Sequence, residues 1–201
     1  MGTDIPKFIT DVMGYWSYRC DTNEVYLAGG CLAEHGVNDY DIVIISRYWS
    51  DELIKFIEDW YRQGNTDDCN IYRAYNQGGD DDDKFHTKAV CHIDGIKVDL
   101  LFVDSAKYNI NQVLDRFPIS IQMQAVGPYS RIIQGSRFCA NPIIIYNDTP
   151  ATEKYRKYYP DRRFIDATHP KGGNRYSEVE GRKHTESLSD MRTTNVDDPF
   201  S

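Results

Sequence analysis

The sequence predicts an α+β fold in which helices flank a mixed central sheet. Helical and strand-like segments follow one another without the regular alternation of a doubly wound fold. The segment DIVIISR at 41–47 contains consecutive β-branched residues, which is typical of a buried central strand. Asp94-Gly95 separates two further strand-like segments and is a typical two-residue hairpin turn.

The helices are predicted from apolar spacing and end signals. Apolar residues recur at helical spacing from Ile5 to Trp16, and Pro6 suits the first turn of such a helix. Ser50 is the predicted N-cap of the next helix, and Gly64 ends it. The other predicted helical segments are 31–36, 107–116 and 151–159. The predicted strands are 24–28, 41–47, 69–76, 85–93, 96–103 and 119–126, with shorter apolar runs at 131–135 and 142–146.

The composition changes along the chain and predicts three regions. A core spans 1–148, a helix with its connection spans 149–170, and a polar tail spans 171–201. The tail has few large apolar residues, so it cannot bury enough surface to offset its ordering entropy. The Asp80–Asp83 run could bind calcium, but four adjacent carboxylates do not alternate as a calcium loop does, which favours a solvated hairpin tip.

The bulk properties restrict the class of protein. The net charge of −8 argues against a general nucleic-acid binder, although a local basic patch remains compatible with a nucleic-acid substrate. The five cysteines form no CxxC pair and are expected to be reduced thiols. No apolar run approaches the roughly 18 residues of a membrane span. These features predict a soluble cytoplasmic protein without a membrane partner.

Gly29-Gly30 and Asp39-Tyr40-Asp41 together indicate a site for phosphate chemistry. Two glycines at a strand end allow backbone N–H groups to approach a ligand, here a phosphate. Asp39 and Asp41 are two residues apart on a strand, so their carboxylates point to the same face, as ligands of hard cations must. Either motif alone has an ordinary structural interpretation, as a turn or as a solvated pair.

Asp99 strengthens this interpretation because it interrupts an otherwise apolar strand, IKVDLLFV at 96–103. A carboxylate in such a strand is costly to bury unless a cation or a partner meets it. If the strand lies beside DIVII, Asp99 joins Asp39 and Asp41, and three carboxylates of this kind suit two-metal phosphoryl transfer. The alternative is an edge-strand residue that points outward. The hypothesis requires the three carboxyl groups to converge within about 4–6 Å.

The segment YLAGGCLAEHGVNDYDIVI resembles the signature of the DNA polymerase β-type nucleotidyltransferase superfamily, and KVDLLF at 97–102 resembles its later aspartate strand. More distantly, LDRFPISIQMQAVGPYSRII at 114–133 resembles the Arg-Arg-Asp-Phe-Thr-Ile-Asn-Ala segment of bacterial-type CCA-adding and poly(A) polymerase head domains. The resemblance covers about residues 24–133. It implies a polymerase β-like fold, similar to the minimal stand-alone members found in bacteria and phages.

The resemblance implies an enzyme that moves an NMP from an NTP such as ATP to a hydroxyl and releases pyrophosphate. Asp39, Asp41 and Asp99 would then be catalytic and hold two Mg²⁺ or Mn²⁺ ions, with Asp99 assisting deprotonation of the acceptor. Gly29 and Gly30 would cradle the triphosphate, and Cys31 would line that loop. Arg116 is either a triphosphate clamp or a surface ion-pair residue.

The departures from the family pattern concern the substrate. The Arg-Asp pair that follows Gly-Gly in CCA-adding enzymes is absent, the Arg-Arg-Asp triplet is reduced to Asp115-Arg116, and the nucleobase-selecting motif has no convincing match. CCA addition is therefore not expected. The acceptor stays open between an RNA 3′ end, a small molecule and a protein, and the oligomeric state is not predicted. The alternative function is a non-catalytic nucleotide-binding or toxin–antitoxin-type regulatory module on the same fold.

Overall fold

The computed structural model describes residues 5–33, 39–73, 85–147 and 150–167, all of which belong to one unit that spans residues 1–167. The predicted acidic hairpin tip at Asp80–Asp83 and the predicted tail at 171–201 lie outside the described residues. The helices are α1 (Lys7–Arg19), α2 (Ser50–Arg62), α3 (Ile110–Leu114) and α4 (Pro150–Tyr158). The strands are β1 (Val25–Ala28), β2 (Asp39–Ser46), β3 (Asp68–Arg73), β4 (Phe85–Ile93), β5 (Ile96–Asp104), β6 (Gln124–Val126), β7 (Ile132–Gln134), β8 (Ile143–Ile145) and β9 (Phe164–Asp166).

Seven of these strands form one sheet in the order β3-β4-β5-β2-β1-β6-β7, and β8 pairs with β9 in a separate two-stranded sheet. Within the large sheet, β2 and β5 are parallel and every other neighbouring pair is antiparallel. The predicted mixed sheet is therefore confirmed. The two strands that carry the candidate aspartates are neighbours at the centre of this sheet.

One face of the sheet is covered by α1 and α2. Alternate residues of β2 and β5, such as Ile44 and Phe102, pack there against Trp16 and Trp60. The rings of Trp16 and Phe102 have centroids 5.1 Å apart in an edge-to-face arrangement, which adds to the burial of apolar area. This packing holds the central strands in register.

The opposite face of β2 and β5 combines apolar and acidic residues. Val43, Ile45, Leu101 and Val103 pack there with Val113 and the rest of α3. Asp39, Asp41 and Asp99 have the same parity along their strands as these residues and therefore lie on the same side of the sheet. We call this side the carboxylate face.

Several predicted elements differ from the structure. Only Gln124–Val126 of the predicted strand 119–126 is a strand, because Ser120–Gln122 forms a 3-10 turn. The Ser120 hydroxyl donates to the Cys139 carbonyl at 2.6 Å and accepts from the Ile144 N–H at 2.9 Å, replacing strand pairing. The predicted helix 107–116 shortens to α3, whose N-cap is Asn109. Strand β9 was not predicted, since three residues are too few for a periodic pattern.

The turn signals are placed as the sequence predicts. Asp94 and Gly95 have φ angles of 52° and 73°, the two positive values that a type I′ hairpin requires. Helix α2 begins at Ser50, but its N-cap is Trp49, whose N–H donates to the Glu52 carboxylate at 3.2 Å. No disulfide joins the five cysteines, all of which lie in the described part. None of the helices described is long and apolar enough to cross a membrane.

Candidate active site

Asp41 and Asp99 lie directly opposite each other on the parallel strands β2 and β5, where their Cα atoms are register partners. Asp39 is in turn the register partner of Lys97. Parallel strands lie about 4.8 Å apart, so all three aspartates start from neighbouring positions of the carboxylate face. Like charges opposite each other destabilise a sheet, which means that this arrangement needs compensation.

Gly29 forms the wall beside Asp41. It follows Ala28, the register partner of Asp41 on β1, and it has a φ of +79°, which favours glycine. A Cβ at this position would lie 2.9 Å from Asp41 Oδ2 and 3.1 Å from Phe117. Gly30 is the second residue of the 3-10 turn Gly29–Leu32, and its carbonyl accepts from the Ala33 N–H at 2.9 Å. The glycine pair therefore leaves room for the carboxylate, and its part in binding phosphate stays a prediction.

The electrostatics of Asp41 reflect its crowded position. Burial is the main cause that raises the pKa of Asp41 to about 6, and the neighbouring carboxylates of Asp99 and Asp39 raise it further. Lys88 and Lys97 act in the opposite direction and lower it. The charged form of Asp41 is thus costly in the protein without a bound cation.

Asp99 is buried and is paired with two lysines. Lys88 of β4 donates to Asp99 Oδ2 at 2.7 Å, and Lys97 donates to the same oxygen at 3.1 Å. The other oxygen, Oδ1, is buried and has no hydrogen-bond partner in the described part of the structure. The ion pairs explain how an apolar strand accommodates a carboxylate. Because β5 lies between β4 and β2, Asp99 is not on an edge strand.

Asp99 makes contacts that the sequence did not predict, because its Oδ2 accepts from two ammonium groups. Among the described residues, no group of three or more His, Cys, Asp or Glu side chains forms a ready-made metal site. The predicted sharing of cations by Asp39, Asp41 and Asp99 stays a prediction.

Asp39 and Asp41 nevertheless fit a divalent cation. They are two oxygen donors on one face, Asp39 is exposed, and a cation beside Asp41 would offset the cost of burying its charged carboxylate. Hard cations such as Mg²⁺ take carboxylate oxygens and commonly complete their coordination with substrate phosphates. Two carboxylates therefore suffice as the protein's contribution.

The remaining two predicted site residues are Cys31 and Arg116. Cys31 is buried in the cluster beneath α1 and α2, and its thiol donates to the Ala28 carbonyl at 3.2 Å. Cys31 is thus packed in the core, and its predicted lining of the phosphate loop stays a prediction. The Arg116 guanidinium lies over the Tyr108 ring, 4.7 Å from its centroid, and Arg116 precedes Phe117, which contacts Gly29.

Comparison with solved structures identifies the type of fold. A CCA-adding enzyme in complex with ATP is similar with a TM-score of 0.50 and 18% identity, over 82% of this chain and 40% of that one. The fold is the nucleotidyltransferase fold. The same enzyme type with CTP has a TM-score of 0.47 and 19% identity, over 82% of this chain and 40% of that one. A tRNA-processing enzyme in an apo form has a TM-score of 0.47 and 19% identity, over 72% and 38%.

The chain therefore spans only about 40% of the length of these nucleotidyltransferases. No protein-family model matches the chain, and no curated protein matches it. The comparisons confirm the predicted fold class, α+β with the polymerase β-like nucleotidyltransferase architecture.

Three residues at the site were not found from the sequence. Lys88 and Lys97 reach Asp99, and Phe117 closes the space beside Gly29. Lys97 carried a usable signal, since it is two residues from Asp99 on the same strand and therefore on the same face. Lys88 and Phe117 carried none, because their positions depend on the pairing of β4 with β5 and on the packing of the loop after α3.

The pKa of Asp41 predicts how the metal-free protein responds to pH. Its folded-state pKa of about 6 is above the ordinary 3.8, so the folded state binds this proton more tightly than the unfolded state. The contribution of Asp41 is neutral to stability below pH 4 and becomes destabilising as the pH rises through 6. We expect Asp41→Asn to raise the free energy of unfolding at pH 7.5 by at most about 3 kcal/mol, and to change it little at pH 4.

Urea unfolding of both proteins in EDTA at several pH values measures this difference. Subtraction of the two curves removes the titration of all other groups. A difference between variant and wild type that does not change with pH would show that Asp41 has an ordinary pKa.

Proposed function

We propose that the protein is a metal-dependent nucleotidyltransferase that transfers an NMP from an NTP to a hydroxyl acceptor and releases pyrophosphate. The observation that carries the proposal is the placement of Asp39 and Asp41 on a central strand, with Asp41 against the side-chain-free wall of Gly29. The nucleotidyltransferase fold supports it, and one similar structure is a complex with ATP.

Each residue of the proposed site has a role that follows from its position. Asp39 and Asp41 would hold Mg²⁺ or Mn²⁺, which supplies Lewis-acid stabilisation of phosphate charge. Gly29 and Gly30 would bind the triphosphate through their backbone N–H groups on the β1 side of Asp41. The acceptor oxygen forms a bond to the α-phosphorus, the bond from that phosphorus to the bridging oxygen breaks, pyrophosphate leaves with the electron pair, and the hydroxyl proton passes to water.

Asp99 has a different part in this proposal from the one that the sequence suggested. Because Asp99 Oδ2 accepts from two lysines and Oδ1 is buried, the proposal assigns the cation to Asp39 and Asp41 alone, and the predicted role of Asp99 stays a prediction. The requirement for two ions is therefore not carried forward. A single cation held by Asp39 and Asp41 satisfies the described geometry.

The second candidate is a non-catalytic nucleotide-binding module, and one observation favours it. A third carboxylate that is neutralised by lysines is compatible with a site that binds nucleotide without turning it over. Against this candidate, Asp39 and Asp41 place two carboxylates on one face of a central strand, as ligands of a divalent cation would be placed.

A measurement of NTP turnover distinguishes the nucleotidyltransferase from the non-catalytic nucleotide-binding module. The protein is incubated with α-labelled ATP, CTP, GTP or UTP, with Mg²⁺ or Mn²⁺, and with total cell RNA and protein as acceptors. Label transfer and pyrophosphate release are measured for wild type and for the Asp39→Asn/Asp41→Asn variant. Transfer by wild type alone supports the enzyme. If wild type bound nucleotide but both proteins released pyrophosphate only at the same background rate, the enzyme would be ruled out and the non-catalytic binding module would be the remaining candidate.

A further inference from the structure

Two cysteines face each other across the neighbouring strands β3 and β4. Cys69 and Cys91 are register partners in this antiparallel pair, and the Cys91 thiol donates to Cys69 Sγ at 3.1 Å. They are 22 positions apart along the chain, so no CxxC motif marks them. Both belong to the apolar cluster beneath α1 and α2, on the side of the sheet opposite the carboxylate face. The thiol pair, defined as Cys69 and Cys91, is therefore separate from the candidate active site.

The backbone geometry at the thiol pair suits a disulfide. Residues directly opposite each other on antiparallel strands have Cα atoms about 4.5–5.5 Å apart. Disulfides bridge Cα atoms that are about 4.4–6.8 Å apart, with an S–S bond of about 2.05 Å. The two sulfur atoms must therefore approach each other by only about 1 Å. Rotation of the two side chains supplies a movement of this size, so neither strand needs to shift.

Neighbouring contacts hold the two strands in this register. Asp68 and His92 are the next register partners, and Asp68 Oδ1 lies 2.7 Å from His92 Nδ1. The Asp67 N–H donates to the His92 carbonyl at 2.7 Å. In the part of the sheet that the structure describes, β3 is an edge strand, with β4 on its inner side. A covalent bond between β3 and β4 would thus attach the edge strand to the interior of the sheet.

The two thiols differ in their access to solvent and in their acidity. Cys69 is partly exposed, whereas Cys91 is buried. The hydrogen bond from Cys91 lowers the pKa of Cys69, and the same bond is the main cause that raises the pKa of Cys91. The thiolate is the reactive form of cysteine. Cys69 is therefore the thiol that reacts first with an oxidant, and Cys91 is placed to react with the product.

We propose that the thiol pair is an oxidation site at which a hydroperoxide such as hydrogen peroxide forms a reversible disulfide between β3 and β4. First, the Cys69 thiolate bonds to one peroxide oxygen, the O–O bond breaks, and the leaving hydroxide takes up the Cys69 proton. Next, the Cys91 sulfur bonds to Cys69 Sγ, the S–O bond breaks, and the second hydroxide takes up the Cys91 proton. Two thiols and one hydrogen peroxide thus become one disulfide and two water molecules.

Thiol counting and mass spectrometry test the proposal. The full chain is reduced, freed of reductant and treated with hydrogen peroxide in EDTA, and samples are quenched with acid over time. We expect the thiol count to fall from five to three and the mass to fall by two hydrogen atoms. Digestion should yield the peptides of Cys69 and Cys91 joined, and dithiothreitol should restore five thiols.

Cys139→Ser is the matched control, because Cys139 is also partly exposed but lies outside the thiol pair. This variant should form the disulfide at the wild-type rate. Cys69→Ser should lose thiols at least about tenfold more slowly, because it lacks the more acidic thiol. Equal rates of thiol loss in Cys69→Ser and wild type would overturn the proposal. A wild-type product that gains oxygen atoms on Cys69, or that links two chains, would also overturn it.

Oxidised glutathione tests the order of the two steps. In wild type, Cys69 should form a mixed disulfide that Cys91 then resolves, so the internal disulfide accumulates and two glutathione thiols are released. Cys91→Ala should stop at the mixed disulfide on Cys69. A glutathione adduct that persists on wild-type Cys69 would overturn the proposal, because Cys91 would then fail to reach its partner. The wild-type product decides this point even if Cys91→Ala does not fold.

The disulfide is expected to stabilise the protein. It restricts the unfolded chain between two residues 22 positions apart, so the oxidised protein should melt about 5–10 °C above the reduced protein. Hydrogen exchange of the β3 amides should also become slower. An oxidised protein that melts at or below the reduced one would overturn the fit of the bond between β3 and β4. These measurements do not involve label transfer, so they test the thiol pair whether or not the proposed function holds.

Discussion

Asp41→Asn is expected to reduce nucleotidyl transfer at least about 1,000-fold, which corresponds to roughly 4 kcal/mol of transition-state stabilisation. The reason is that Asp41 supplies the more enclosed of the two carboxylates proposed to hold the cation, while Asp39 is exposed. An asparagine keeps the shape of the side chain and removes the negative charge. Initial rates of α-label transfer at saturating Mg²⁺ measure the loss.

The same substitution is expected to stabilise the metal-free protein at neutral pH, as derived above from the raised pKa of Asp41. An inactive but more stable variant cannot owe its inactivity to unfolding. Added Mg²⁺ should raise the melting temperature of wild type, since a cation that binds only the folded state stabilises it, and should raise that of the variant much less.

Asp21→Asn is a suitable control for Asp41→Asn. Asp21 lies before β1, at the end opposite Gly29, and pairs on the surface with Arg47 at 2.9 Å. Its φ is 46°, a conformation that asparagine tolerates. This variant should transfer label at the wild-type rate. More than a tenth of wild-type activity in Asp41→Asn would contradict the assignment of the cation to Asp41.

Gly29→Ala is expected to reduce transfer on the order of 100-fold, the effect of a small displacement of a reacting group. An alanine Cβ would lie 2.9 Å from Asp41 Oδ2, so the carboxylate must move. The substitution also costs about 1–2 kcal/mol of stability because the φ of +79° is unfavourable for a residue with a Cβ. Transfer assays and urea unfolding measure the two effects separately.

Gly64→Ala separates the contact from the backbone strain. Gly64 has a φ of +73°, but a Cβ there would meet no atom within 4 Å. It should lose a similar amount of stability from strain alone and keep full activity. If Gly29→Ala and Gly64→Ala transferred label equally well, Gly29 would be a turn residue only, and the wall beside Asp41 would have no catalytic importance.

The local parts of the site could be predicted from the sequence because each depends on residues close together in the chain. Asp39 and Asp41 share a face through the two-residue period of a strand, and Gly29 ends the preceding strand. The burial of Asp99 followed from its apolar neighbours, which are also local. These patterns required no knowledge of which strands are adjacent.

The partners of Asp99 could not be predicted in the same way. Lys88 reaches Asp99 only because β4 pairs with β5 in a register that sets Val90 opposite Asp99. A shift of one residue would direct Lys88 to the helix-covered face. For this reason the sequence favoured a cation as the partner of Asp99, whereas the structure supplies two lysines.

The sequence by itself determined the nature of the central strands and the candidate site residues on them. Hydrophobic periodicity and glycine conformation act over a few residues, and they place Gly29, Asp39 and Asp41 without reference to the rest of the chain. Only the tertiary structure decided which charges Asp99 meets, since cross-strand register follows from the packing of whole strands. That pairing gives Asp99 two lysine partners that its own strand does not reveal, because one of them comes from the neighbouring strand β4.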